Sequence, residues 1–568
     1  MTDSPPEDIT LDYDVVVIGA GLSGLIAANE LRDRCPELRV HIVEAKDRVG
    51  GRLLTVPIKV HKNQLSHFDL GGQWVGKKQL EVLQLAKELG IETYDQYTDG
   101  HKWGQFGQAK PRKYDSTLPL SNIRQFSISE ILDFLFNITK IEGLVWKLSM
   151  KDVFKRSNAQ TLDESSIAKW SKENAWTRSF PELHDIAVRA LYGVEPSRVN
   201  MLFHLSVAKS AGTFMNLCEA VGNGAQAMKL VGGAQQLCIK LAARLPDESI
   251  SYGEAVRFLD VNESAGTTTI HLESVDESRT RKILRCSRVI MAIPPCQINK
   301  IGFTPHLPDI KHRLYENMII GHYIKFLITY ETAFWREQGF SGEILSTGKT
   351  EIPGEKLPII ATYDSTTVDG APALVGFIHQ EFADMTVEQR CNEVVKDLVR
   401  FLGNRALNEF VDYKDKVWAH EPYNGGCPAS IITPGNMDTF QVIREPFYTV
   451  HFAGTETATK WCGYMDGAIE SGYRAAHEIL HCLEKHTAVS YNRLEGSVFD
   501  SDYRPPLPPS DNYSSLRSPW WRRLFFGSVL VVGIYAYSQK YRLSYTAKAV
   551  KPIENTLLRW TTGIIWPE

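Results

Sequence analysis

The sequence predicts an α/β chain of several parts, led by a Rossmann-like nucleotide-binding unit and closed by an apolar, basic tail. Three observations predict it. An apolar run enters a Gly-x-Gly-x-x-Gly in Asp14-Val-Val-Val-Ile-Gly19-Ala-Gly21-Leu-Ser23-Gly24. The next apolar run, Val40-His-Ile-Val, ends in a carboxylate, Glu44, about twenty residues beyond Gly24. The chain has 568 residues, more than one core normally holds.

The first unit reads strand, helix, strand. Gly19 permits the tight turn, Gly21 lets the backbone approach a pyrophosphate, and Gly24 lets helix and strand pack closely. The residues after Gly24 carry Leu25, Ala28 and Leu31 at helical spacing. The start of that helix offers unpaired N–H groups and a partial positive charge to phosphate. Glu44 is placed to accept from a ribose hydroxyl. A Gly-rich turn in an unrelated sheet explains the glycines but not the acid.

Composition narrows the rest. At 43% hydrophobic and 23% charged residues there is ample material for a core. A net charge of -4 offers no basic field for nucleic acid. The nine cysteines are odd in number, scattered and without a Cys-x-x-Cys, which argues for a reducing compartment and against a disulfide framework or a metal site. The polar, acidic N-terminus is not that of a signal peptide.

Two further glycine-rich segments follow Glu44. Gly50-Gly51-Arg52 suggests a second close backbone approach, with Arg52 as a cation for phosphate, and Asp69-Leu-Gly71-Gly72-Gln73-Trp74 adds an aromatic. On these motifs the first eighty residues resemble the flavin-containing amine oxidases. The resemblance implies an extended FAD rather than NAD. Gly19, Gly21, Ser23, Gly24 and Glu44 then hold its ADP half, and Arg52, Gly72, Gln73 and Trp74 continue the contact.

Residues 80–230 are helical in pattern, as in Ser129–Phe136 and in Met201, Leu205 and Ala208. By resemblance, Leu191, Tyr192 and Gln226 border a substrate cavity. Lys229-Leu-Val-Gly-Gly233 returns the chain to the first unit. Glu254–Val256 and Thr267–Leu272 read as short strands, and Arg288–Ile293 as a buried strand stopped by Pro294 and Pro295. The family's match to Val256 meets the adenine end through its backbone. In Ile319–Tyr330 a single lysine, Lys325, interrupts an apolar strand. Read alone it is a strand-edge lysine reaching water or a functional buried one. The resemblance makes it the lysine that holds a water at flavin N5, assisting reoxidation by oxygen with a part in amine deprotonation. Gly342–Trp418 alternates strands with helix, its clearest helix being Val387–Leu402 with Thr386 as N-cap.

The most discriminating stretch is Trp418-Ala-His-Glu-Pro-Tyr-Asn-Gly-Gly426-Cys427-Pro428. Cys427 alone reads as a small buried cysteine. The order Trp, Gly-Gly-Cys resembles the monoamine oxidase branch, which implies a covalent 8α-S-cysteinyl FAD at Cys427. Further on come Gly454 and Glu456, then Tyr464-Met465 opening a helix through Leu483, with its N-terminus toward the flavin and Tyr464 beside the ring. One residue departs from the branch. Pro428 stands where a tyrosine completes an aromatic cage with the match to Tyr464, so one wall is missing or supplied from elsewhere.

Arg504-Pro-Pro-Leu-Pro-Pro509 reads as a stiff linker. Trp520-Trp521-Arg522-Arg523 leads into fourteen apolar residues, Leu524–Tyr537, and from Leu516 onward eight Lys/Arg face two Glu. The resemblance implies a C-terminal anchor in the mitochondrial outer membrane, with the body facing the cytosol and Lys548–Trp566 lying on the membrane as a second amphipathic segment.

The expected organisation is a discontinuous FAD-binding domain (13–79, 230–305, 420–483), an interleaved substrate domain of mixed sheet and helices (80–229, 306–419), a Pro-rich linker (484–515) and a membrane tail (516–568). The expected reaction is oxidative deamination of primary, and secondary, amines. A hydride equivalent passes to flavin N5, giving aldehyde, ammonia and hydrogen peroxide, with Lys325 and Tyr464 as catalytic residues. Its partners are the amine, oxygen and membrane lipid, with a homodimer implied by the family, no nucleic acid and no metal. Two alternatives stand beside it: a polyamine or N-methyl-lysine oxidase of the same fold, and a flavin-bearing membrane scaffold with impaired catalysis.

Overall fold

The computed structural model describes residues 10–105, 111–114, 127–350, 352 and 354–501. All of them lie in one compact unit, Met1–Asp511.

The predicted strand, helix, strand is present as β1 (Tyr13–Ile18), α1 (Leu22–Arg34) and β2 (Val40–Val43). Val15–Ile18 are buried because β1 is a central strand, parallel to β2 on one side and to Arg281–Met291 on the other. A strand covered on both faces needs the continuous apolar run seen here. The Arg281–Met291 strand forks. Its second half pairs in parallel with β1 and Val450–Phe452, while its first half starts an antiparallel meander through Thr267–Ser274 to Glu254–Asn262. It ends before Pro294 and Pro295, as expected, and begins seven residues earlier than Arg288.

Helix α1 packs between this sheet and the long helix Met465–Cys482. Close approach explains two glycines. A Cβ on Gly24 would collide with the Gly19 carbonyl oxygen, and Gly19 itself has φ +104° with Ala292 O 2.8 Å from the place of a Cβ.

The second sheet has seven strands in the order Phe410–Val417, Ile324–Tyr330, Ala373–Ile378, Ile359–Asp364, Phe340–Ser346, His101–Gln105, Arg112–Tyr114. It is antiparallel except where Phe340–Ser346 runs parallel to His101–Gln105. The predicted helix Val387–Leu402 covers one face, packing Val394, Leu398 and Phe401 with Phe326 and Ile328. Thr386 caps it, its side chain accepting from Gln389 N in a full capping box. With side chains alternating along a strand, Lys325 and Phe377 face the other way, toward the first sheet.

Two expectations need correction. The apolar run Ile319–Tyr330 is not one strand. Met318–Ile320 pairs with Ser430–Ile432, and the seven-stranded sheet takes Ile324–Tyr330. The break serves packing: His322 N donates to Gly193 O at 2.9 Å and Cys427 N to Gly321 O at 2.7 Å. The stretch 484–501, expected to open the linker, packs on the body. Leu494 and Ser497 are fully buried, and Arg444 Nε donates to Gly496 O at 2.8 Å. A buried leucine anchors that turn more firmly than a linker composition suggests. The Pro-rich segment, Leu524–Tyr537 and Lys548–Trp566 lie outside the described residues. Among the described residues no helix is long and apolar enough to cross a membrane.

Candidate active site

A cavity of about 640 Å³ runs from the glycine fingerprint to the inner face of the second sheet. Gly19, Gly21, Ser23 and Glu44 line one end, with Val256 opposite, where a bulge interrupts the meander between Val256 and Phe258. Gly21 presents bare backbone: nothing stands within 4 Å of a Cβ placed there. Glu44 is buried and braces the turn, its carboxylate accepting from Ala20 N at 2.7 Å and Lys46 N at 2.9 Å. Burial raises its pKa, and those two backbone donors offset part of the rise. Lone pairs remain on both oxygens for a ribose.

The Ser23 hydroxyl is used within the protein, 3.0 Å from Ser471 Oγ and accepting from Gly454 N at 3.0 Å. Arg52, expected as a phosphate cation, turns its guanidinium to Glu456 instead, with contacts of 2.5 and 3.0 Å. It also donates to Pro428 O at 2.8 Å, and Ser430 N donates to Glu456 at 3.0 Å. The pair, with Glu456 buried and Arg52 half-buried, is a bidentate clamp on the loop that carries Cys427. Burial opposes ionisation of both partners, yet their mutual attraction raises the Arg52 pKa and lowers that of Glu456.

Sequence reasoning missed a second clamp. Glu421 pairs with Lys46 at 2.6 Å, Arg48 at 3.1 Å and Lys416, and Lys46 also reaches Asn424. It ties the segment after β2 to the Trp418–Gly426 loop, more than 370 residues away in the chain. Burial would raise the Glu421 pKa, but the ammonium groups of Lys416 and Lys46 hold it down at about 2. No local signal marks Glu421, because two of its three partners, Lys46 and Arg48, are distant in sequence.

The far end of the cavity gathers Trp418, Cys427, Tyr464, Met465 and Lys325. Trp418 is fully buried and donates from Nε1 to Leu70 O at 2.9 Å. Burial pushes the Cys427 thiol up to about 11, with the charges of Arg52 and Lys325 offsetting part of the effect. Tyr464 is the N-cap residue of Met465–Cys482, so the helix's first turn abuts the cavity. Lys325 is a buried lysine, not a strand-edge one. Its Nζ donates to Gly71 O and Gln73 Oε1, both at 2.7 Å, and lies 5.4 Å from the centre of the Trp74 ring. Burial pushes its pKa down to about 7. This explains the order Gly71-Gly72-Gln73-Trp74: the segment forms the cradle of the lysine as well as a wall of the cavity.

Beyond this point the cavity opens into an aromatic lobe. Leu191, Tyr192, Gln226 and Pro428 all line the cavity. Tyr192 Oη is bonded to His204 Nδ1 at 2.8 Å, and Gln226 Nε2 donates to Leu217 O at 3.0 Å, leaving Gln226 Oε1 without a partner among the described residues. Three walls escaped the sequence reading: Tyr323, Tyr363 and Phe377. Tyr323 lies 4.6 Å from Phe377 with the rings tilted by 31° and packs with Cys427 and Trp418, while its hydroxyl donates to Ala190 O. An aromatic thus stands beside Pro428 although residue 428 is not one.

The cavity fits a flavin dinucleotide. Its fingerprint end is a bare backbone cradle, and its far end holds two buried polar atoms without partners among the described residues, Gln73 Nε2 and Ser430 Oγ, on the lining itself. Unpartnered polar atoms of this kind are what the polar edge of a bound ring requires. Fold and site together define a flavin-dependent oxidoreductase. The comparisons carry this to a family. Residues 22–480 match the model for flavin containing amine oxidoreductases. The chain is 31% identical over 551 residues to flavin-containing amine oxidase A of Canis lupus familiaris, covering 94% of this chain and 97% of that one. It is 32% identical to flavin-containing amine oxidase B of Sus scrofa, covering 83% and 87%. Among solved structures it is similar to cyclohexylamine oxidase from Brevibacterium oxydans, with a TM-score of 0.72, 27% identity, and 83% and 100% of the two chains covered. A putrescine oxidase with redesigned cofactor binding gives a TM-score of 0.72, 26% identity, and coverage of 83% and 99%. The chain belongs to the flavin-containing amine oxidase family, with relatives among the monoamine oxidases, and is an oxidoreductase acting on amines. The family implies FAD.

Proposed function

We propose that the protein oxidises primary and secondary monoamines to aldehydes, with release of ammonia or amine and formation of hydrogen peroxide. FAD held in the cavity supplies the two-electron acceptor that oxygen regenerates. One observation carries the reading: Lys325, Cys427 and Tyr464 converge where the dinucleotide cavity opens into an aromatic lobe. Among the described residues lining that lobe the one carboxylate is Glu219, and burial raises its pKa. A second substrate cation has that single carboxylate to compensate it, which favours monoamines over polyamines.

We assign Gly19, Gly21 and Glu44 to the ADP half, with Gly24 packing the turn behind them and Val256 at the adenine end. Gly72, Gln73, Trp74 and Trp418 border the ring. The Arg52–Glu456 pair positions Cys427, which attaches the flavin through an 8α thioether. Gly454 and Met465 close on the cofactor, Tyr464 orients the amine, and Lys325 places a water and a proton at the ring's reactive edge. We take the two sheets as the cores of interleaved FAD-binding and substrate domains.

Added anaerobically to full-length protein, an arylalkylamine should bleach the flavin, and oxygen should restore its colour with one hydrogen peroxide per turnover. Bleaching by putrescine and not by arylalkylamines defeats the monoamine reading; bleaching by no amine favours a scaffold. The Pro428→Tyr variant should raise kcat/KM for small arylalkylamines by several-fold, since one more aromatic face is worth about 1 kcal/mol toward an amine. An unchanged or lower value means that Tyr323 already fills that place.

We extend the proposal to location: residues 516–568 anchor the protein in the mitochondrial outer membrane, body toward the cytosol, with a homodimer as the assembled form. Support comes from the aromatic and basic flanks of Leu524–Tyr537. A protein truncated before Arg517 should leave the membrane fraction and keep its flavin; a truncated form still pelleting with membranes sinks the single-anchor reading.

A further inference from the structure

The aromatic lobe has a polar spot with no assigned use. His184 lines the cavity on the helix Ser179–Tyr192, and its ring lies 5.4 Å from Phe180, 5.5 Å from Phe214 and 5.6 Å from His204. Both imidazoles are almost completely buried, at 3% and 0% exposure. Each is bonded through Nδ1, His184 to Ser171 Oγ at 2.7 Å and His204 to Tyr192 Oη at 2.8 Å. Each Nε2 has no hydrogen-bond partner among the described residues. Neither hydroxyl has another acceptor among the described residues, so both donate to Nδ1. Burial holds both rings neutral, with the His184 pKa pushed down to about 4, and the single ring proton then sits on Nε2. Two N–H donors are thus stranded together among phenylalanines, an arrangement that costs stability unless something supplies an acceptor.

We propose that His184, with His204 behind it, forms a subsite that receives a hydrogen-bond-accepting oxygen at the end of the amine remote from its nitrogen. The substrate class becomes arylalkylamines that carry a ring oxygen, and the inference rests on the amine-oxidising reading of the cavity. The helix acts as a ruler. Its C-terminal end, Tyr192-Gly193, adjoins the reacting end, since a Cβ on Gly193 would stand 3.2 Å from Cys427 O. His184 lies two turns earlier, roughly 12 Å along the axis. Reacting nitrogen and distal oxygen are therefore read from opposite ends of one lobe. The apolar walls of the lobe discriminate weakly and Gln226 Oε1 can only accept, whereas a buried donor left unpaired rejects the deoxy analogue.

The test uses the full-length holoenzyme and phenylalkylamines of two to four chain carbons, with and without a para-methoxy group, which can only accept. The ratio of kcat/KM within each pair is measured, together with calorimetric Kd values for the matching phenylalkyl alcohols, which lack the reacting nitrogen. At one chain length the methoxy member should be preferred tenfold or more in both readouts. H184F should bring the ratio close to one, and H184Q, which restores an N–H, should recover part of the preference. Equal handling of every pair by the unaltered protein overturns the subsite whether or not the variants fold, and so does an unchanged ratio in H184F. If no amine bleaches the flavin but the alcohol pairs are still distinguished, the amine-oxidising reading fails and the subsite stands.

Discussion

Cys427→Ser protein is expected to lose all of its flavin on acid precipitation, whereas the unaltered protein keeps the yellow chromophore on the peptide that contains Cys427. The outcome is all-or-none because a serine hydroxyl cannot replace the thiolate as nucleophile toward the 8α carbon at neutral pH. Burial outweighs the charges nearby, so the Cys427 thiol is pushed up to about 11 and has to lose its proton as the bond forms. Arg52 and Lys325 are the charges that counter the burial, and Arg52 is held there by Glu456. The serine variant retains that clamp, so the flavin should still bind without a covalent bond and exchange on dialysis. Mass spectrometry of the Cys427 peptide checks the result. Flavin retained by the serine variant, or absent from the peptide of the unaltered protein, removes the covalent assignment.

Lys325→Met should slow reoxidation of the reduced flavin by oxygen about 10²- to 10³-fold, the scale of a positioned proton-handling group. Reduction by amine should change much less. Two of the positions around Nζ are taken by Gly71 O and Gln73 Oε1. The remaining one, as N–H or lone pair, is available to a water at the ring. Stopped-flow measurement of the two half-reactions separates the steps, and a fall confined to the reductive half would assign Lys325 to the amine instead.

The same substitution has a signature in stability. The folded pKa of Lys325 lies at about 7 against an ordinary 10.5. Between these values the unfolded chain binds a proton that the folded chain does not, so stability rises with pH across that window. Relative to an unperturbed lysine the group costs stability below pH 7, and the cost fades toward pH 10.5. Three and a half units correspond to a cost on the order of 5 kcal/mol at the acid end. Denaturant midpoints from pH 6 to pH 10 should therefore climb more steeply for the unaltered protein than for Lys325→Met. Parallel slopes would mean that Lys325 keeps its charge in the folded protein.

How much of the site was legible differs from residue to residue. Gly19, Gly24 and Glu44 were readable because their work is local. A tight turn, a close helix contact and a carboxylate at the end of β2 all fall within thirty-odd residues, and the geometry of one supersecondary unit sets them. The Thr386 cap and the helix behind it were readable for the same reason. Lys325 was visible as an anomaly, a charge in an apolar run, but the run itself was misjudged. Gly321–Tyr323 gives its hydrogen bonds to Gly193 and Cys427, and no pattern in Ile319–Tyr330 announces partners so distant. Arg52 illustrates the opposite case: its place was right, but its partner, Glu456, lies 404 residues onward.

By itself the sequence determined the βαβ unit and singled out Lys325, Cys427 and Tyr464 as candidates, because turn geometry, strand burial and side-chain chemistry act within a short stretch of chain. Only the tertiary structure decided what those groups touch. The Arg52–Glu456 and Glu421 clamps, the cradle that leaves Lys325 at a pKa of about 7, the aromatics Tyr323, Tyr363 and Phe377, and the stranded Nε2 atoms of His184 and His204 all arise where distant segments meet. Desolvation and charge pairing depend on what surrounds a group in space, and that becomes definite only when the two sheets close on a common cavity.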